Sequence, residues 1–239
     1  KIKEEIVDKC MVYNSGLFSI IPDFKNFAKI NNFSFKKYTD PKLESLVDKP
    51  KSQLYDEKFV IQIHSRAENK KPGTGTGEKI PKEYKTLPNI IELSKINDWR
   101  RKLDNNWILN KENEKLEIKG EIWSSVQHYL YGSRFYTLPD IYKKFTINNQ
   151  ETSSLELAKN FYYDMLKKYK TKIISDNDYD KDYNKFLMQA LNSKFANNEE
   201  YKNILKLTTK AKINIYKPGR GGGITEAKQL MNIRELLAK

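Results

Sequence analysis

The strongest constraint on the fold is the point at which apolar residues begin to recur at helical spacing. After about residue 90 they do so repeatedly; before it they come in short stretches cut by proline. Val12-Tyr13 and Leu17 to Ile21 are apolar, but Pro22, Pro41 and Pro50 punctuate residues 1–60 into short elements. Phe59-Val60-Ile61-Gln62-Ile63 has the composition of a β-strand. Residues 66–82, rich in Lys, Gly, Thr and Pro, read as a linker or mobile loop. The expected division is an N-terminal extension of unknown role over 1–65, a Gly/Pro/Lys-rich linker over 66–89, and a globular domain over 90–239.

Within that domain Ser94 is a candidate cap for a short helix through Trp99 and Leu103. Trp107 to Ile118, with Gly120, suggests strand, turn, strand. Ser124 or Ser125 caps a helix through Phe135. Residues 152–170 have helical spacing, 171–181 are acidic and loop-like, and helices are expected at about 181–195 and 199–207. Ala211 to Tyr216 alternates as a strand, Gly219 to Gly223 is a glycine-rich loop, and Thr225 is a candidate cap for a last helix. The expected class is α+β, helix-rich, with a small β-sheet. Only 38% of residues are hydrophobic, so the 15 tyrosines and 11 phenylalanines must supply much of the core and its borders.

Lys and Arg number 44 against 31 Asp and Glu, a formal +13. That surplus fits nucleic acid, nucleotides or acidic surfaces as partners, and equally a lysine-rich solvated surface. The single cysteine, Cys10, allows no internal disulfide, and the histidines, His64 and His128, form no cluster with metal-ligand spacing, so no metal or cofactor is expected. No apolar run is long enough to span a membrane. An intracellular, reducing compartment is expected, with a true N-terminus upstream of Lys1.

Chemistry concentrates in Trp123-Ser124-Ser125-Val126-Gln127-His128-Tyr129-Leu130-Tyr131-Gly132-Ser133-Arg134-Phe135. On a helix, Val126, Tyr129 and Leu130 share one face, while Gln127, Tyr131 and Arg134 share another. An amide, a phenol and a guanidinium in one row suit sugar hydroxyls and a phosphate, or else form an ordinary polar helix face. Gly73-Thr74-Gly75-Thr76-Gly77-Glu78-Lys79 suggests a phosphate loop but lacks the spacing G-x-x-x-x-G-K-[ST].

The 123–135 stretch resembles the NADAR signature W-x-S-V-E-H-Y-Y-Q-A-x-K-F: Trp123, Ser125, Val126, His128, Tyr129 and Phe135 match, and Arg134 keeps the charge of the usual lysine. Leu103 to Trp107 resembles the family's L-S-N-F-W, with Asn105 in the Asn position. Gln189 to Asn198 resembles A-x-x-A-K-F-x-Q-N, Ile204 to Ile213 resembles L-L-x-T-x-x-A-x-L, and Leu230 to Arg234 resembles L-M-x-I-R. The loop Pro72 to Pro81, followed by Trp99 to Leu103, is similar to members from large DNA viruses, which implies a viral source.

The resemblance implies hydrolysis of ribosyl–nitrogen bonds, in damaged riboflavin-pathway intermediates or in ADP-ribose attached to nucleobases. Such chemistry wants a carboxylate near the anomeric carbon. The signature puts Glu before His; this chain has Gln127, which carries no charge and accepts no proton. The family's late D-x-x-W-G-x-G segment is also replaced, by Tyr216 to Gly223, where Arg220, Gly221 and Gly222 could hold an anion or merely form a turn. The expected pocket is lined by the 124–135 helix, the Asn105 to Trp107 segment and the 216–225 loop. Gln127 and His128 stand as its catalytic positions, with Asn105, Trp107, Trp123, Ser125, Tyr131, Arg134, Arg220, Gly221 and Gly222 as ligand-binding residues. Gln127 is a natural loss, is compensated by another carboxylate such as Glu121, or is a deliberate change; the second departure favours natural decay. The leading expectation is a module that binds ADP-ribose, a related nucleotide or nucleic acid, with N-glycosidase activity lost or weakened. An active N-glycosidase and a structural component of a virion or larger viral assembly are the alternatives.

Overall fold

A computed structural model describes residues 54–109, 114–173, 175–217 and 222–238. All of them belong to one unit, Lys49–Lys239. The expectations placed on residues 1–53, including Cys10, and on Arg220 and Gly221 lie outside the described residues.

The fold is α+β and helix-rich. Its larger sheet has strand order β1-β4-β5. β1 (Asp56–Ile63) pairs in parallel with β4 (Ala211–Lys217), Ile61 opposite Ile213 and Ile63 opposite Ile215. β5 (Gly223–Glu226) runs antiparallel to β4, with Ile215 opposite Thr225. The strand expected in the N-terminal extension therefore shares a sheet with residues from the far end of the chain. Phe59, Ile61, Ala211 and Ile213 are fully buried, as the two-residue period of a half-covered sheet requires.

The glycine-rich loop was expected to run directly into a helix capped by Thr225. β5 lies between them instead, paired with β4 from Lys217 opposite Gly223 to Asn214 opposite Glu226. Thr225 is a strand residue, and the last helix, which spans Lys228–Leu237, follows Ala227. Its Arg234 is buried, donating to the Leu54 carbonyl at 2.7 Å, the Ala211 carbonyl at 2.8 Å and Thr208 Oγ1 at 2.9 Å. Acceptors near the starts of β1 and β4 are thereby gathered by one fork of donors.

The helices in chain order are α1 (Lys82–Lys85), α2 (Pro88–Lys95), α3 (Trp99–Leu103), α4 (Val126–Ser133), α5 (Pro139–Tyr142), α6 (Leu155–Lys168), α7 (Asp176–Ala196), α8 (Glu199–Leu207) and α9 (Lys228–Leu237). Ser94 lies inside α2, donating to the Ile91 carbonyl at 2.6 Å, rather than capping a later helix. α7 starts earlier than expected. Ser175 Oγ accepts the Asp178 N–H at 3.2 Å, and Asp176 and Asp178 sit in the first turn, where the helix dipole favours acidic side chains. The acidity that suggested a loop is the signature of a helix start. α7 packs against α4, α8 and α9, and α6 packs against α4. The strand-turn-strand expectation reduces to a short hairpin, β2 (Glu117–Ile118) and β3 (Glu121–Ile122), turned by Lys119 and Gly120 at positive φ.

Residues 66–80 are ordered around one buried carboxylate. Glu78 accepts from the backbone N–H groups of Gln62 (3.0 Å), Gly73 (2.9 Å) and Gly75 (3.0 Å), and from Arg100 Nε (2.9 Å) and Nη2 (2.7 Å). Arg100 also donates to the Lys70 and Lys71 carbonyls and lies over the Trp99 ring. The glycine N–H groups that a phosphate would need are taken by the chain's own carboxylate. Gly77 at φ 76° faces Gln62 so closely that a Cβ there would collide with the amide.

Among the largest fully buried side chains are Trp99, Trp123, Tyr129, Tyr201, Phe59, Phe135, Phe145 and Phe195, the aromatic core that the composition called for. Among the described residues no helix is long and apolar enough to cross a membrane.

Candidate functional site

α4 is built by its cap. Ser125 Oγ accepts the His128 N–H at 3.2 Å, and the same hydroxyl lies 2.8 Å from His128 Nδ1. His128 Nε2 faces the Thr152 carbonyl at 3.0 Å, which can only accept, so Nε2 carries the proton and Ser125 donates to Nδ1. Both residues have no exposed surface, and burial pushes the imidazole pKa down. His128 is therefore a neutral imidazole holding α4 to the turn at Gln150–Thr152. It does not face solvent, and at this expected catalytic position the structure shows a structural contact.

Trp123 is corrected in the same way. It is buried, edge-on to Tyr129 at 5.1 Å and to Tyr142 at 5.0 Å. Gly132 lets it approach, since a Cβ on Gly132 would sit 2.8 Å from the indole ring and 3.2 Å from Phe145 Cβ. Arg134 was expected at a phosphate. Its guanidinium is instead buried 4.9 Å over the Tyr179 ring, donating to the Ser175 carbonyl at 3.1 Å and to Asp176. It fastens the end of α4 to the start of α7. Ser125, Trp123, His128 and Arg134 thus support the helix rather than line a site.

Gln127 is different. It is half-buried, in the first turn of α4, and its backbone N–H donates to the Asn105 carbonyl at 3.0 Å. Its side-chain amide lies beside the Tyr131 hydroxyl one turn on, and Tyr131 is also half-buried, its phenol raised by burial. Two segments 22 positions apart in sequence are joined here.

The Asn105 segment is held from behind. Buried Lys194 on α7 donates to the Asp104 carbonyl at 2.8 Å, and Asp104 Oδ1 accepts the Asn106 N–H at 2.8 Å. Trp107 Nε1 donates to the Tyr201 hydroxyl at 2.9 Å, and Tyr201 in turn donates to Glu114. Arg101 lies 5.6 Å over the Trp107 ring, which is half-buried. Lys194 is fully enclosed, close to the Phe195 and Tyr201 rings, and burial lowers its pKa to about 7. Its place in the K-F segment was noted from sequence, but the role of its ammonium was not; the signal was a lysine amid Leu191, Phe195 and Ala190.

Asn105 lines a small hollow with Ile63, Leu103, Leu191, Ile215, Ala227 and Gln229, of about 20 Å³. It lies at the carboxyl ends of the parallel strands β1 and β4 and at the first turn of α9. Of the expected pocket lining only Asn105 faces this hollow; no residue of the 124–135 helix or of 216–225 does, and Gln127 reaches it only through its backbone bond to Asn105. Gly222 is exposed in the turn between β4 and β5. Glu121 lies on the β2–β3 hairpin, 3.9 Å from Lys143.

No protein-family model matches the chain, and no curated protein matches it. Among solved structures, the E. coli protein YbiA, determined by NMR, is similar at a TM-score of 0.46 and 17% identity, over 77% of this chain and 87% of that one.

Proposed function

We propose that this chain is a NADAR-like module that binds ADP-ribose or a related nucleotide, and that its N-glycosidase activity is lost or weakened by the amide at Gln127. One observation carries the reading. The Gln127 N–H to Asn105 carbonyl bond joins the residue in the signature's Glu position to the residue in its Asn position, beside a hollow at the carboxyl ends of parallel strands. Crevices at that end of a parallel pair are where α/β sheets commonly hold ligands. A half-exposed amide there can hydrogen-bond a sugar hydroxyl, but it neither stabilises a developing oxocarbenium charge nor takes a proton from water.

A hollow of about 20 Å³ holds about one water, whereas ligand sites usually enclose about 300 Å³ or more. The hollow is therefore too small to enclose the ligand, which would lie against the Gln127 and Asn105 surface instead.

The test is to incubate the chain with ADP-ribosylated DNA beside a Gln127→Glu variant and to measure both binding and release of ADP-ribose. Binding without release, with release gained by Gln127→Glu, is the expected result. Release by the unaltered chain ends the idea of a silenced site, and absence of binding ends the module reading. A contribution of the +13 surplus to nucleic-acid contact requires affinity to fall steeply with added salt.

A further inference from the structure

We propose that the Tyr131–Tyr162 ring pair, with Tyr163 at its edge, is the platform on which the planar base of the ligand stacks. The proposal rests on the reading above that Gln127 meets the ligand's sugar. Tyr131 of α4 and Tyr162 of α6 are 4.7 Å apart between ring centroids at 32°, and Tyr163 meets Tyr162 edge-on at 5.3 Å and 74°. Phe135 backs Tyr162 edge-on at 5.8 Å, and Phe145 lies behind Tyr131 at 6.3 Å.

The contrast in exposure marks the outer layer as a surface for something else. Phe135 and Phe145 are fully buried; Tyr131 and Tyr162 are half-buried, and Tyr163 is 50% exposed. A core would have covered all five. Partly exposed tyrosine rings next to a polar side chain can stack a nucleobase without regard to sequence. The Gln127 amide beside the Tyr131 hydroxyl supplies the polar edge.

The Gln127 amide beside Tyr131 is uncharged, so the ring pair suits an uncharged heteroaromatic ring joined to a ribose.

The test compares AMP, whose base is joined to its ribose, with ribose 5-phosphate, which lacks the base, by calorimetric titration of the whole chain. Tyr162→Leu is expected to weaken AMP by about five- to a hundredfold and to leave ribose 5-phosphate unchanged, while Tyr162→Phe keeps AMP binding. Circular dichroism checks that the Leu variant is folded; if it is not, exposed Tyr163→Ala replaces it with the same expected split between ligands. Equal loss for both ligands would make the rings structural and overturn the platform. Unchanged AMP affinity would also overturn it, while leaving the module reading intact. If the unaltered chain binds neither ligand, the platform falls, and the assay with ADP-ribosylated DNA decides the module reading separately.

Discussion

Replacing Glu78 by Gln removes one charge without changing shape, and the structure sets the cost. Glu78 has a side chain with no exposed surface, and its partner Arg100 is 5% exposed. One carboxylate oxygen accepts from Gln62 N–H and Arg100 Nε; the other accepts from Gly73 N–H, Gly75 N–H and Arg100 Nη2. A Gln amide keeps one acceptor but turns the other position into a donor that faces two or three donors. The Arg100 charge then stays buried with only carbonyls for company. Breaking a buried pair in this way costs about 3–5 kcal/mol, a large share of the ~5–15 kcal/mol of an ordinary domain. The measurement is urea unfolding followed by tryptophan fluorescence, because Trp99 lies 4.1 Å beneath the Arg100 guanidinium and reports on this corner. The double variant Glu78→Gln/Arg100→Met is expected to lose less than the sum of its two single changes, since it leaves no stranded charge. A loss below about 1 kcal/mol, or strict additivity, would refute the claim that this pair organises residues 66–80.

Lys194 sets a pH dependence. Its folded pKa of about 7 lies below the ordinary lysine value, so between about pH 7 and 10.4 the unfolded chain binds a proton that the folded chain does not. Stability therefore rises with pH across that window, by up to about 1.4 kcal/mol per unit, and Lys194→Met should flatten the urea midpoint between pH 7 and 9.5. His128 acts in the same sense lower down. Burial depresses its pKa, so its contribution is lost as pH falls below about 6.5, and acid unfolding curves of His128→Gln should lack that step. Gly132→Ala gains about 1 kcal/mol of helix propensity but drives a methyl into an indole that is itself packed by Tyr129 and Tyr142. Overpacking of about 1–3 kcal/mol wins, and a raised thermal midpoint for the variant would contradict this.

The parts of the fold readable from sequence are those that local rules decide. The alternation of Phe59, Ile61 and Ile63 and of Ala211, Ile213 and Ile215 gave two strands, and Ser125 gave the start of α4 through the simple need to satisfy N–H groups. What local rules cannot give is pairing. Nothing in residues 56–63 says that their partner lies about 150 positions later, which is why β1 was assigned to an extension. β5 was hidden for a related reason: a glycine-rich turn leading into Ile224 and Thr225 looks like a loop until β4 supplies the other half of its hydrogen bonds. In the site, matching residue types located the helix but not the direction of its side chains. Gln127, Tyr131 and Arg134 share a helix face in projection, yet Arg134 comes at the helix end, where Tyr179 and Asp176 draw it inward.

That inward turn bears on how a motif of this kind should be weighed. Of the positions that match the signature, Trp123, Ser125, Val126, His128, Tyr129 and Phe135 are all buried. Each has a packing or hydrogen-bonding reason to be what it is, independent of any substrate. They specify a helix cap, a core and an attachment to the turn at Thr152, and a chain keeps them for as long as it keeps the fold. The half-buried positions on the same segment are Ser124, Gln127 and Tyr131, of which Gln127 and Tyr131 depart from the signature, as do the buried Leu130, Gly132 and Arg134. The amide at 127 and the phenol at 131 lie beside each other, so a change at one bears on the other. On the proposed reading, Gln127→Glu beside an intact Tyr131 should release ADP-ribose from ADP-ribosylated DNA, whereas Gln127→Glu combined with Tyr131→Leu should release less, because the ring paired with Tyr162 is gone; equal release by the two variants would contradict a shared contact.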